Sequence, residues 1–504
     1  MAPDQTDSPP RAPRPTTSLA WETLLDLSPA RPGAGGARDP LHRRLAEALR
    51  DAVRESRVPP GAALPPSREL AATLGVSRWA VTEAYGELVA EGVLEARTGS
   101  GTRVAGARAP AERAAPSGPA AWSPPPRRRF DLAAGVPDLR QVPRAAWARA
   151  VRESLADAPD VALGAADPSG LADLRELLAG HLARARLARA DAGDLVVTHG
   201  AADGLARLAH ALRGAGHVAV AVEDPGWVRL HGVLRAAGLE PVPVPVDDGG
   251  LDVDLLASLR VGGAPVRAVL LTPAHQFPTG VALSPARREH VVAWARDADG
   301  LVVEDDYDAE FRYDRRAFAA LQGLAPDRVA LLGSLSKTVS PALGLGWLVV
   351  PPAWRERLSP DPSAPSTVDQ LAFARLLASG AYDRHLRAAR QRYRRRRAAL
   401  LGALDAHLPG LPVSGLAAGM HVLLGLPAGT SADDVAAAAA RREVTVAPVG
   451  RYRAAGRPSS GTTPGPGPGP DALVVGYGNL ADARVDEAVA RLAAAVAAAA
   501  TEAP

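Results

Sequence analysis

The chain has 504 residues, no cysteine and a formal net charge of +3. That length accommodates two or three domains, while the missing thiols exclude disulfides, iron–sulfur clusters and thiolate metal sites. The small charge confines any nucleic-acid surface to a local patch, and no apolar run is long enough to span a bilayer. With no basic stretch leading into an apolar run at its start, a cytoplasmic protein without a membrane partner is expected.

Residues 1–38 read as a disordered or extended, Pro-rich arm. Residues 39–104 read as one small module. Leu41, Leu45, Leu49 and Val53 recur at helical spacing. Ser67 is expected to cap a second helix over 68–74, and Gly75 allows the turn that follows. Ser77 caps a third helix whose apolar face is Val81, Ala84, Tyr85, Leu88 and Val89. Two short strands then flank a Gly-rich tip at 98–101. Helix, helix-turn-helix and hairpin together make a winged helix-turn-helix. A recognition helix meets DNA through its first residues, here Ser77, Arg78, Trp79 and Thr82. Arg68 is placed to hold a phosphate, and Gly101 and Arg103 of the wing to approach the double-stranded DNA backbone. A three-helix protein-interaction module is the plainer alternative.

Residues 105–129 are Ala, Pro and Arg with little periodicity, a semi-extended linker. From 130 to 499 helical patterns alternate with Val-rich strands at 194–198, 218–222, 266–271, 301–304, 329–332 and 347–350. That alternation predicts a mostly parallel α/β sheet. Residues 462–470 form a Pro-Gly low-complexity loop. The basic run Tyr393–Arg397 reads as a helix face rather than a second DNA site. The histidines show no His-x-x-x-His pair with carboxylates, so no structural metal is expected.

Lys337 is the only lysine among the 58 Lys and Arg residues. Arginine replaces surface lysine without loss, but only a primary amine forms a Schiff base. Lys337 is therefore a candidate nucleophile for an aldehyde cofactor, pyridoxal phosphate. Such a cofactor needs a carboxylate on its ring nitrogen, a phenol near its ring hydroxyl, an aromatic face and amides for its phosphate. Asp305, Tyr307 and Trp227 supply the first three. Gly200, Ala201 and Ala202 open a helix after a strand and supply the amides, with the Ser336 hydroxyl beside them. Taken singly, each feature has a bland reading: a solvated acidic loop or a metal site, a core tryptophan, a surface lysine.

Residues 64–71, 75–78, 84–85, 91–94 and 99–102 resemble the GntR-type winged-helix pattern, with Trp79 departing from the small hydroxyl residue usual there. Residues 272–280, 304–311 and 333–337 resemble fold-type-I aminotransferases, and the MocR group in particular, over roughly 39–497. The resemblance implies an aspartate aminotransferase-like domain fused to a DNA-binding domain. The whole would be a homodimeric transcriptional regulator with pyridoxal phosphate, or its adduct with an amino acid or amine, as effector. It implies Lys337 as the Schiff-base residue, Asp305 as the pyridinium partner, Tyr307 as the ring-hydroxyl donor and Trp227 as the stacking ring, with His275 and Arg229 near the cofactor. The chain departs from that pattern at Gly344, where an arginine usually meets the phosphate, and at Ala165, where a tyrosine usually reaches the neighbouring subunit. It departs again at Val474, where an arginine usually clamps a substrate carboxylate, and at Ala201 and Ala202. Losing a charge-assisted phosphate contact costs about 1.5–3 kcal/mol. The departures weigh against a physiological catalyst. They leave two rivals to the sensor: an aminotransferase with an accessory DNA-binding domain, and a repressor whose aminotransferase-like body has lost its cofactor.

Overall fold

The structure, a computed structural model, describes residues 21–25, 40–97, 101–105, 128–164, 167–313, 319–358, 364–454 and 472–501. The chain divides into two compact units, residues 1–124 and 125–504. The hairpin tip at 98–100, most of the 105–129 linker, Ala165 and the Pro-Gly loop at 462–470 lie outside the described residues.

In the first unit α1 (Trp21–Leu24) is a single turn, followed by α2 (Leu41–Arg54), α3 (Ser67–Leu74) and α4 (Arg78–Ala90). The hairpin β1 (Leu94–Arg97) and β2 (Gly101–Val104) pairs Leu94 with Val104 and Arg97 with Gly101. Leu45, Leu49, Leu70, Val81, Leu88, Leu94 and Val104 form its core. Trp21 and Leu25 are buried in that same core, which corrects the expectation of a disordered or extended arm at 21–25 alone; residues 1–20 and 26–39 lie outside the described residues. The physical reason is apolar area: an indole and an isobutyl group packed into a core gain roughly 1.5–3 kcal/mol each over exposure, enough to order a short turn. A second correction concerns Ser67. It is the first helical residue of α3, and Pro66 occupies the cap position without a side-chain bond. Ser77 does cap α4: its Oγ accepts from Ala80 N at 3.2 Å.

The second unit is built on an eight-stranded sheet. Seven of its strands are β3 (Leu195–Thr198), β4 (Ala219–Asp224), β5 (Glu240–Asp247), β6 (Ala268–Leu271), β7 (Leu301–Asp305), β8 (Val329–Ser334) and β9 (Gly346–Val349). Their spatial order is β3-β9-β8-β7-β6-β4-β5, closed by the two-residue strand Gly250–Leu251. The pairs among β8, β7, β6, β4 and β5 are parallel, whereas β9 runs antiparallel to both of its neighbours. The sheet is thus mixed, with a parallel centre. Helices cover both faces: Leu205, Leu208, Leu212 and Leu234 pack on one, Val291, Val292 and Trp294 on the other. The sequence pattern did not point to β5, because Pro241, Pro243 and Pro245 interrupt it. Every second residue is proline, so the amides lie along one side of the strand, and that side pairs with β4.

A smaller antiparallel sheet, Val413–Ser414, β10 (His421–Gly425), β11 (Ala472–Gly476) and Ala447–Pro448, completes the unit. Here the basic run lies on the long helix Ala381–His407. It is not simply a solvated face. Arg396 is buried, with Nη2 2.8 Å from Asp138 Oδ2 and Nε 2.6 Å from Asp482 Oδ1, and Arg397 donates to Gly415 O at 3.0 Å.

The turn after β7 is held from below. Arg186, fully buried, donates from Nε at 2.6 Å and from Nη2 at 3.0 Å to the two oxygens of Asp306. Glu304 accepts from Leu321 N at 3.1 Å and Gln322 N at 3.0 Å. Removing one member of a buried ion pair strands the other charge and costs about 3–5 kcal/mol. Arg186→Ala is therefore expected to lower the unfolding free energy by about that amount, read from the denaturant midpoint.

Candidate functional site

The candidate cofactor residues collect at the carboxyl ends of β3, β4, β6, β7 and β8, where open α/β sheets bind ligands. Lys337 sits on the single-turn helix Leu335–Thr338 that continues β8. Its Nζ donates to Gly135 O at 2.6 Å and lies 5.8 Å from the centre of the Trp227 ring. Burial lowers its pKa, and the nearby carboxylates of Asp305 and Asp308 only partly oppose that shift. A lysine so placed loses its proton more readily than a free one, as a nucleophile must.

Asp305 ends β7. It is buried, and its Oδ1 has no hydrogen-bond partner. Burial, then the neighbouring Asp306, pushes its carboxyl up to about 7, against the pull of Lys337. Two residues on, the Tyr307 hydroxyl lies 3.1 Å from His275 Nδ1, which is itself 2.9 Å from Asp308 Oδ2. Burial and Asp308 hold the Tyr307 phenol well above its ordinary value, so it stays protonated and able to donate.

Trp227 follows β4. Its ring meets Phe277 edge-on at 5.1 Å and stacks on Tyr452 at 6.0 Å. Gly226 N donates to Tyr452 O at 2.8 Å, which ties this turn to the smaller sheet. Val474 is fully buried beside Phe277, Leu423, Val449 and Ala472, with Trp227, Tyr307 and Tyr452 packed on the cluster. The end of the pocket toward β11 is thus aromatic and apolar. Arg229, two residues past Trp227, is exposed, and its charge reaches Lys337.

Gly200 precedes the helix Ala201–Gly214 at φ +124° and ψ 177°, a conformation essentially reserved to glycine. A side chain at Gly346 would meet Gly200 Cα at 2.6 Å, so the two backbones touch here. Ala201 and Ala202 form the first turn, and Ser336 is half-buried beside Lys337. The same helix start already carries an acid: Asp203 Oδ2 accepts from His199 N at 2.9 Å and pairs with Arg207 at 3.2 Å. Gly344 lies in the left-handed region at φ +56°, with open space where a side chain would begin.

These residues fit pyridoxal phosphate at its ring. The unpartnered Asp305 oxygen suits a pyridinium N–H, and Trp227 offers a face. At the phosphate end the fit rests on helix amides and the Ser336 hydroxyl, without an arginine at position 344.

Sequence reasoning missed two members of the surroundings. Glu223, buried and pushed up to about 7 by desolvation, accepts from Thr272 N, Thr272 Oγ1 and Gln276 Nε2. His421 of β10 lies 5.0 Å from the His275 ring and donates to Pro278 O at 3.2 Å. His275, Asp308 and His421 bring ligand-type atoms within 4.8 Å of one another. His275 Nδ1 is taken up by Asp308 and His421 Nε2 by Pro278 O, while His275 Nε2 is buried without a hydrogen-bond partner.

On the first unit, Arg68, Ser77, Arg78, Trp79, Thr82, Gly101 and Arg103 are all exposed. Arg103 is steadied by a 3.1 Å bond to Gly61 O, and the Thr82 hydroxyl donates to Arg78 O at 3.0 Å.

Residues 41–104 match the bacterial regulatory proteins of the gntR family, and residues 128–464 match aminotransferase class I and II. Over 390 residues the chain is 34% identical to the HTH-type pyridoxine biosynthesis transcriptional regulator PdxR of Corynebacterium glutamicum, covering 76% of this chain and 82% of that protein. The chain belongs to the MocR-type regulators. A second member, the probable rhizopine catabolism regulatory protein MocR of Rhizobium meliloti, is 31% identical over 73% of this chain and 78% of its own. Among solved structures, an archaeal alanine:glyoxylate aminotransferase superposes with a TM-score of 0.65 at 25% identity, over 73% of this chain and 91% of that one. Thermus thermophilus LysN, an α-aminoadipate aminotransferase, gives 0.64 at 24%, over 74% and 93%, and shares the fold. A GntR-type DNA-binding domain is thus joined to a fold-type-I aminotransferase domain, the MocR arrangement.

The Asp305 carboxyl holds its proton to about pH 7 in the fold against an ordinary value of 3.8, so ionising it opposes folding. The penalty is absent below the free value and complete above the folded one. Asp305→Asn is therefore expected to raise the melting temperature at pH 8, with the gain fading as pH falls toward 4, by thermal scans across that range.

Proposed function

We propose that this MocR-type regulator binds pyridoxal phosphate, or its adduct with an amino acid or amine, in the large domain and converts that binding into altered affinity for double-stranded DNA. The observation that carries the reading is the Asp305–Lys337 pair: a buried carboxylate oxygen without a partner, and an amine whose charge acts on it and whose pKa is lowered by burial. The cofactor, when bound, supplies an aldehyde and an electron-withdrawing ring. Asp305 holds the ring nitrogen, Lys337 offers its amine, Tyr307 donates to the ring hydroxyl, and Trp227 covers one face. Ser336 and the amides from Gly200 to Ala202 receive the phosphate. His275, fixed by Asp308, positions Tyr307. Val474 stands among apolar neighbours where the family places a cation for a substrate carboxylate, which supports a sensor over a working aminotransferase unless Arg451 or Arg453 substitutes for it.

The protein works as a cytoplasmic homodimer in this reading. Leu155, Val161 and Leu163 stand exposed within one short stretch, 48, 84 and 47% accessible, an apolar strip suited to cover by a second copy. Among the described residues no helix is long and apolar enough to cross a membrane. The effector acts through its differential affinity for two arrangements of the dimer.

The test is a titration of the full-length protein with pyridoxal phosphate at fixed salt, following visible absorbance and binding to the DNA upstream of its own gene. A visible band absent from Lys337→Ala, with DNA affinity that moves in the wild type alone, is expected. No band, and DNA binding indifferent to both cofactor and substitution, would leave the large domain as a dimerising body only. Gly344→Arg is expected to tighten cofactor binding about tenfold or more by adding a charge-assisted phosphate contact, read from the same titration.

A further inference from the structure

Among the described residues of the first unit, Trp79 is the one exposed large apolar side chain, 63% accessible. It is the second residue of α4, at the end of the recognition helix that faces base edges. Its ring is not adrift. His42, on α2, meets it edge-on with ring centres 5.3 Å apart at 75°. A tryptophan has two side-chain torsions, so one such contact fixes much of its direction at small entropic cost.

The neighbouring polar groups are committed elsewhere. Ser77 Oγ accepts from Ala80 N, and Thr82 Oγ1 donates to Arg78 O. Both hydroxyls hold the helix. What remains free at this end of α4 is the Arg78 guanidinium and the Trp79 indole. Arg78 precedes Trp79 on the helix, and Arg68 and Arg103 of the same unit are exposed cations as well, which suits a polyanion rather than an apolar protein partner.

The major groove presents one apolar group among its donors and acceptors, the 5-methyl of thymine. We infer that Trp79, braced by His42, is a specificity-determining residue that reads a thymine methyl in each half-site. The inference rests on the DNA-reading assignment of this module and goes beyond it by naming what the helix recognises.

The test uses the full-length protein. Duplexes are selected from a random pool with the wild type, and thymines in the selected duplex are then replaced singly by deoxyuridine, which removes only the methyl. At one or two positions wild-type affinity is expected to fall about fourfold, the worth of one buried methyl. Trp79→Ser, whose melting temperature should match the wild type because the ring is exposed, should bind the parent duplex more weakly. It should also be blind to uracil at those positions. His42→Ala should lose part of the same discrimination while keeping its affinity for an unselected duplex. Uracil without effect anywhere, or an equal uracil effect in Trp79→Ser, overturns the inference while sequence-selective binding stands. Failure of the wild type to enrich any sequence overturns the DNA-reading assignment and the inference with it.

Discussion

One buried guanidinium makes the rest possible. Glu304, Asp305, Asp306, Asp308 and Glu310 are all withdrawn from water around the end of a single strand. Burial first, and the neighbouring Asp306 second, make them resist ionisation, and Glu304, Asp305 and Glu310 are each pushed up to about 7. Arg186, with two nitrogens of its fork on Asp306, supplies the directly bonded countercharge, and the buried Arg288 adds a second charge that acts on Glu304. Because Asp306 is satisfied below the sheet, Asp305 is left facing the other way with an oxygen to spare.

Much of this architecture was written locally. The strands running into Gly200, Asp224, Asp305 and Lys337 announce themselves as short Val-rich runs, and a solitary lysine marks the place where an amine is irreplaceable. The winged helix was legible for the same reason: its caps, turns and apolar spacing act over a few residues. What escaped is whatever depends on distant partners. Arg186 and Asp306 are 120 residues apart, and nothing in the neighbourhood of Arg186 marks it as buried. His421 and His275 are joined only by the folding of the smaller sheet onto the larger. The prolines of Glu240–Asp247 disguised a strand, because a residue that removes every second amide reads as a loop until its pairing side is known. Trp21 and Leu25 were lost in a Pro-rich background although two apolar side chains suffice to fasten them.

The two ends of the pocket tell different histories. One end gathers the acid Asp305, the amine of Lys337, the phenol of Tyr307 and the indole of Trp227. The end toward the smaller sheet has turned aromatic and apolar, with Phe277, Tyr452 and Val474 in contact. The helix start where a phosphate would sit carries Asp203 and two alanines.

The proline-studded strand has a bearing on assembly. An unprotected sheet margin invites another chain to hydrogen-bond alongside it, the usual route to fibrous association. Beyond the short pairing of Val246 and Asp247 with Leu251 and Gly250, the outer side of Glu240–Asp247 carries Pro241, Pro243 and Pro245 and offers an incoming backbone no amide there. Strand-to-strand stacking between copies of this protein is therefore disfavoured at that margin.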